Sequence, residues 1–124
     1  MPVLSAPQAP THRLPGVTFT SLATPARGSM DTSIWEVELA PGTPATPHEV
    51  TREEVFVVLS GQARVRLGDE LCRALGGDVI VVPRDTLFEL SADGDQPLRA
   101  LCCMPVGGEA RLPDGTTFVP PWAQ

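Results

Sequence analysis

The sequence predicts an all-β domain whose strands close into a barrel or a double-sheet jelly roll. Three observations carry that expectation. Fourteen Pro and eleven Gly, about a fifth of the 124 residues, are scattered as punctuation and form no repeat. They cut the chain into short pieces rich in Val, Ile, Leu, Phe and Thr, the pattern of strands separated by turns. No apolar pattern of helical period survives ten residues without a Gly or Pro, so long helices are not expected. The runs Val55-Phe56-Val57-Val58-Leu59 and Val79-Ile80-Val81-Val82 are apolar on both faces. Such strands must be covered on both sides, and closing the sheet also removes exposed edges.

Along the chain, residues 1–16 carry Pro2, Pro7, Pro10 and Pro15 and read as an irregular N-terminal arm. The barrel is expected over 17–105, with strands near 17–23, 31–40, 53–60, 62–68, 71–75, 79–83, 86–91 and 97–105. In 33–40 the apolar Trp35, Val37 and Leu39 alternate with Glu36 and Glu38, so one face is wet. Arg64 and Arg66 share the polar face opposite Ala63, Val65 and Leu67 and are expected in solvent. Residues 106–124, with Pro113, Pro120 and Pro121, read as a second irregular arm. Cys72, Cys102 and Cys103 are odd in number and match no zinc spacing, so they are expected as small apolar core residues.

Nine Arg and no Lys against fifteen acidic residues give a net charge of −6. That balance excludes nucleic acid and anionic membranes as expected partners, since both select a positive face. No apolar run approaches the roughly 20 residues that span a bilayer. The start, MPVLSAPQAP, lacks the basic flank and apolar stretch of a secretory signal, so the cytoplasm is the expected compartment.

One spacing pattern goes further. Gly42 is followed by five residues and His48, one residue and Val50, three residues and Glu54, then six residues and Gly61. After a fifteen-residue gap (62–76) come Gly77, five residues and Pro83. This frame, over 42–92, resembles the two motifs of the cupin superfamily, in the manner of its small single-domain members. The resemblance implies a cupin double-stranded β-helix, a jelly-roll barrel with few or no helices. It also implies a metal site of two His and a Glu from the first motif and one His from the second. Carried over by position, His48 matches the first His and Glu54 the carboxylate. Val50 stands at the second His and Phe88 at the last, while Asp85 replaces a Gly and Ala92 an Asn. His12 or Glu49 has no spacing that would make it a substitute. No metal is therefore the expected state; a divalent transition metal on His48 and Glu54 is the alternative.

The expected site is an apolar barrel pocket with His48 and Glu54 as its polar pair. Val50, Phe56 and Phe88 border it, with Trp35 and Met104 as further candidates, Trp35 reading first as core. If His48 and Glu54 touch, the carboxylate favours the charged ring, and the pair serves as acid and base. The same two residues equally read as a hydrogen-bonded polar plug. Glu53 and Glu54 cannot pair, because neighbours on a strand face opposite ways. The expected function is binding of a small organic ligand, with metal-independent isomerase, epimerase or cyclase chemistry implied by the resemblance. A metal-dependent dioxygenase-type cupin with a reduced ligand set, and a non-catalytic ligand-binding or structural dimer, stay open. A homodimer joined through sheet faces or exchanged arms is expected, because Val55, Val57 and Leu59 need an outer cover and the Pro-rich arms need a docking surface.

Overall fold

A computed structural model describes residues 3–124. Twelve strands are formed among them: β1 (Thr11–Leu14), β2 (Val17–Ala23), β3 (Thr32–Leu39), β4 (Glu49–Val50), β5 (Glu54–Ser60), β6 (Ala63–Leu67), β7 (Glu70–Ala74), β8 (Val79–Val82), β9 (Phe88–Ala92), β10 (Leu98–Pro105), β11 (Ala110–Arg111) and β12 (Thr117–Phe118). The only helical pieces among the described residues are three single 3-10 turns, so none is long and apolar enough to cross a membrane. A six-stranded sheet runs β1-β2-β3-β10-β5-β8, and two three-stranded sheets run β12-β11-β4 and β7-β6-β9. Every pairing is antiparallel. Inward residues of all three sheets, among them Trp35, Val50, Phe56, Val65, Phe88 and Leu98, meet in one apolar cluster. This is the expected all-β jelly-roll barrel.

Alternation places each side chain. On β3, Ser33, Trp35, Val37 and Leu39 are buried while Thr32 and Glu38 are exposed. On β5, Glu54, Phe56 and Val58 are buried while Val55 and Val57 are half-buried. Gly61 turns the chain from β5 into β6 with φ 77°, and an added Cβ would strike the Pro97 carbonyl oxygen. Only Gly combines that dihedral with so close a backbone approach.

The irregular arms need correcting. Thr11–Leu14 pairs with β2 as the sheet's edge, and the Arg27 guanidinium ties the start of the chain down by donating to the carbonyls of Ser5, Ser21 and Leu22. At the other end, β11 bridges β12 and β4. The last residues are pinned by two buried hydroxyls: Ser21 Oγ donates to the Trp122 carbonyl at 2.7 Å and Ser33 Oγ to that of Ala123 at 2.8 Å. Cys72 corrects another expectation. It is exposed on β7, whereas Cys102 is buried and Cys103 is intermediate. Arg64 and Arg66 are exposed as expected, but they are ion-paired with Asp93 and Glu89.

The outer face of the large sheet is apolar towards its β8 edge, while Glu36, Glu38 and Arg99 make it polar on β3 and the start of β10. Register aligns Ile34, Cys103, Val55 and Val81 in one row across four strands, and Leu101, Val57 and Val79 in the next. Val79 and Val81 are 57% and 49% exposed on β8, which ends the sheet. An apolar sheet edge of this kind is a docking surface or an aggregation hazard. Light scattering at micromolar concentration is expected to give twice the 13.2 kDa chain mass, and the double variant Val79→Glu, Val81→Glu to give a folded monomer. A wild-type monomer would refute the second-copy cover.

Candidate functional site

The barrel holds a cavity of about 220 Å3 that opens to solvent past Leu14 and Phe118. Its walls come from the inward faces of β2, β3, β5, β9 and β10, and the arms add Leu14, Leu112, Phe118, Pro120 and Trp122. The chain has four Phe, two Trp and no Tyr. All six aromatics (Phe19, Trp35, Phe56, Phe88, Phe118 and Trp122) line this one space. Phe56 and Phe88 meet at 5.3 Å, tilted by 39°, and Phe19 stacks on Trp122 at 3.6 Å with the rings 2° from parallel. No Arg reaches the lining, and the chain has no Lys.

Glu54 is the first residue of β5, so the alternation that buries Phe56 and Val58 also turns its carboxyl inward. It is 5% exposed, and its Oε1 is buried without a hydrogen-bond partner among the described residues. Burial alone pushes this carboxyl up to about 8, because a low-dielectric surrounding disfavours the charged form. His48 is held by its backbone: its N–H donates to the Phe88 carbonyl at 3.1 Å, and the Phe88 N–H donates back at 2.8 Å. Its ring lies edge-on to Phe88 at 5.6 Å. Nδ1 is 2.9 Å from the Thr46 carbonyl; a carbonyl only accepts, so Nδ1 carries the proton and Nε2 remains free.

The structure brings Trp35, His48, Val50, Glu54, Phe56, Phe88 and Met104 to one cavity. It does not join His48 to Glu54: among the described residues no ion pair links them, and desolvation is the sole cause of the Glu54 shift. The plug of mutually satisfied polar groups, and the pair in which His48 touches Glu54, are both corrected. Cys102, buried on β10, is the other titratable group near Glu54. Desolvation pushes its thiol well up, with Glu54 adding to the shift, so it is a poor nucleophile. Phe19, Phe118 and Trp122 escaped the sequence reading, since they sit outside the motif frame. The signal available for them was that they are the chain's remaining aromatics.

The donor set does not fit a transition metal. Such an ion needs about three protein donors to be held against water. Val50 and Phe88 offer none, His12 lies on β1 opposite Phe19, and Glu49 is bound to Arg111 at 3.0 Å. Among the described residues no three His, Cys, Asp or Glu side chains gather closely enough to hold an ion. Asp85, where the family pattern has Gly, adopts φ 59°. Its N–H donates to the Val50 carbonyl at 2.9 Å and its carboxylate accepts from Arg111 at 3.1 Å. It thus fastens the loop between β8 and β9 to β4 and β11.

A family model described as "Cupin domain" matches residues 35–104. The chain belongs to the cupin family. Over 53 residues it is 34% identical to an uncharacterized protein, MJ1618, of Methanocaldococcus jannaschii, a match covering 43% of this chain and 42% of that one. Solved structures agree in fold. An RmlC-like cupin from Shewanella frigidimarina superposes with TM-score 0.73 at 12% identity, over 85% of this chain and 90% of that one. KdgF from Halomonas sp. gives 0.66 at 23% identity, over 77% and 86%. The 7S globulin of Momordica charantia gives 0.76 at 18%, over 91% of this cupin and 38% of the globulin.

The buried carboxyl makes the stability of this cupin pH-dependent. Between about 4.5 and about 8 the folded chain keeps a proton on Glu54 that the unfolded chain has released. Stability therefore falls as pH rises through that window and is flat on this account above it. The span is a few kcal/mol at about 1.4 kcal/mol per pH unit. Chemical denaturation from pH 4.5 to 9 is expected to show that decline in the wild type, and Glu54→Gln to lose most of it. Equal slopes in the two proteins would place the effect elsewhere.

Proposed function

We propose that this cupin binds a small, largely apolar organic ligand in the barrel without a metal, and that Glu54 exchanges a proton with the ligand's polar end. The observation that carries the reading is the Glu54 Oε1 atom, buried in an aromatic cavity with no partner. An unpaired buried polar group of this kind is costly, and a ligand that offers the missing hydrogen bond relieves that cost. A carboxyl at about 8 is mostly acid near neutral pH with roughly a tenth present as base, so one group can both take up and return a proton. His48, with Nε2 free, is the second polar group of the lining. Together they suit isomerase, epimerase or cyclase chemistry, in which a C–H bond breaks and its proton is carried by the protein.

The protein's own residues define the rest. Phe56, Phe88, Trp35 and Met104 bind the ligand's apolar body by dispersion and by excluding water. The Phe19–Trp122 stack, fixed by Ser21 and Ser33, holds the C-terminal strap over the cavity.

The test is a fragment screen by NMR, followed by deuterium uptake from D2O into the fragments that bind. Binding is expected to perturb the indole resonances of Trp35 and Trp122 and to persist in EDTA. Deuterium uptake is expected to be lost in Glu54→Gln and reduced in His48→Ala. Purification with near-stoichiometric Mn, Fe, Ni or Zn that His48→Ala removes would overturn the metal-free reading.

A further inference from the structure

The composition of the cavity wall is lopsided. Every aromatic side chain of the chain lines the cavity, the lining holds one carboxyl, and among the described residues no guanidinium or ammonium group belongs to it. An aromatic face carries negative charge density, so rings gathered around a space attract a cation, most strongly when water is excluded. The neighbours of Glu54 supply no positive partner. From the stretch before β4 comes His48, which is turned to the Thr46 carbonyl. From β10 comes Cys102, whose thiol is kept neutral by burial. Opposite Glu54 on β8 stands Val82, and β9 contributes Phe88. The net charge of −6 adds a potential that draws cations towards the molecule and repels anions.

We propose that the ligand is an organic cation, an amine or quaternary ammonium group on a small apolar body, seated among the rings with Glu54 as its counter-ion. This rests on the ligand-cavity reading above and names the class of ligand. Charge balances on binding. The ammonium enters with its positive charge, Glu54 releases its proton to solvent, and the pair left in the cavity is neutral. A ligand that arrives as a free amine takes the Glu54 proton directly, with the same product. In either case the carboxylate, the form that acts as a base, is produced where the substrate sits. Rings alone do not discriminate a cation from a neutral group of the same shape as sharply as rings with a buried carboxylate do.

Two probes of equal shape decide it: choline, and 3,3-dimethylbutan-1-ol, in which carbon replaces the charged nitrogen. Trp35 and Trp122 both line the cavity, so quenching of tryptophan fluorescence reports occupancy. Choline is expected to bind at least about tenfold more tightly than the alcohol at pH 8, as a desolvated cation–π site with a counter-ion should. Its affinity should rise about tenfold or more from pH 6 to pH 8, with proton release measurable by calorimetry in buffers of different ionisation enthalpy. The alcohol should show no such rise. In Glu54→Gln the preference should fall to about twofold, and the wild-type pH series stands independently of that variant. Equal or tighter binding of the alcohol would overturn the cation assignment while leaving the ligand cavity intact. Failure of both probes, and of the fragment screen, to perturb either tryptophan would overturn both.

Discussion

A carboxyl group whose inner oxygen has no partner, surrounded by aromatic rings, is an expensive thing to bury. Charged, it would have to forgo hydration without any compensating cation, so the fold takes it in as the acid. Nothing local forces Glu54 inward except the alternation of β5, and that alternation is fixed from both sides. Phe56 and Val58 on the same strand belong to the core, and β10 and β8 hold the register on either edge. Slipping β5 by one residue to free Glu54 would turn Phe56 and Val58 out of the barrel. The strand's apolar residues thus hold the acid in place at its expense.

The remainder of the molecule holds that arrangement in place. The two ends of the chain, 103 residues apart at Phe19 and Trp122, meet in a face-to-face stack that closes the barrel beside β2. Stacking of this closeness requires the strap to be fixed in translation as well as in tilt. The hydroxyls of Ser21 and Ser33 do this by holding consecutive carbonyls, those of Trp122 and Ala123. Both hydroxyls are buried and each spends its one donor on these bonds, so they supply position without an unmet polar group. Gly61 and Asp85 perform the same office at the turns, one by having no Cβ and the other by tying its loop to Val50 and Arg111.

The sequence made some of this legible and concealed the rest for physical reasons. Eight of the nine strands of four or more residues, all but β1, showed in apolar alternation and in Gly and Pro punctuation, because a half-buried strand writes a period of two into its residues. Glu49–Val50, Ala110–Arg111 and Thr117–Phe118 are too short to show any period. They lie in stretches broken by prolines such as Pro47, Pro113 and Pro120, whose missing N–H groups limit pairing to two residues. Cys72 misled because β7 is exposed over its first four residues, so a residue type that is usually buried had no core to enter. His48, Val50, Glu54 and Phe88 were found through the spacing of a family frame, which encodes where side chains point. Spacing does not encode whether two of them touch, and it has no access to a contact between the two ends of the chain.

The separation of His48 from Glu54 bears on what the site is for. Where the family pattern sets imidazoles, this chain sets Val50 and Phe88, and Phe88 now stands edge-on to the one imidazole that remains. A wall built from donors would stabilise a positive ion and leave Glu54 charged. A wall built from rings leaves Glu54 without a fixed positive neighbour, and the proton fills that place in the resting protein. A proton exchanges readily with solvent or with an incoming ligand, whereas a structural ion does not. The exchange of donors for hydrocarbon therefore does more than subtract a binding site. On the reading proposed above, it leaves Glu54 as a buried acid whose charge an entering ligand sets.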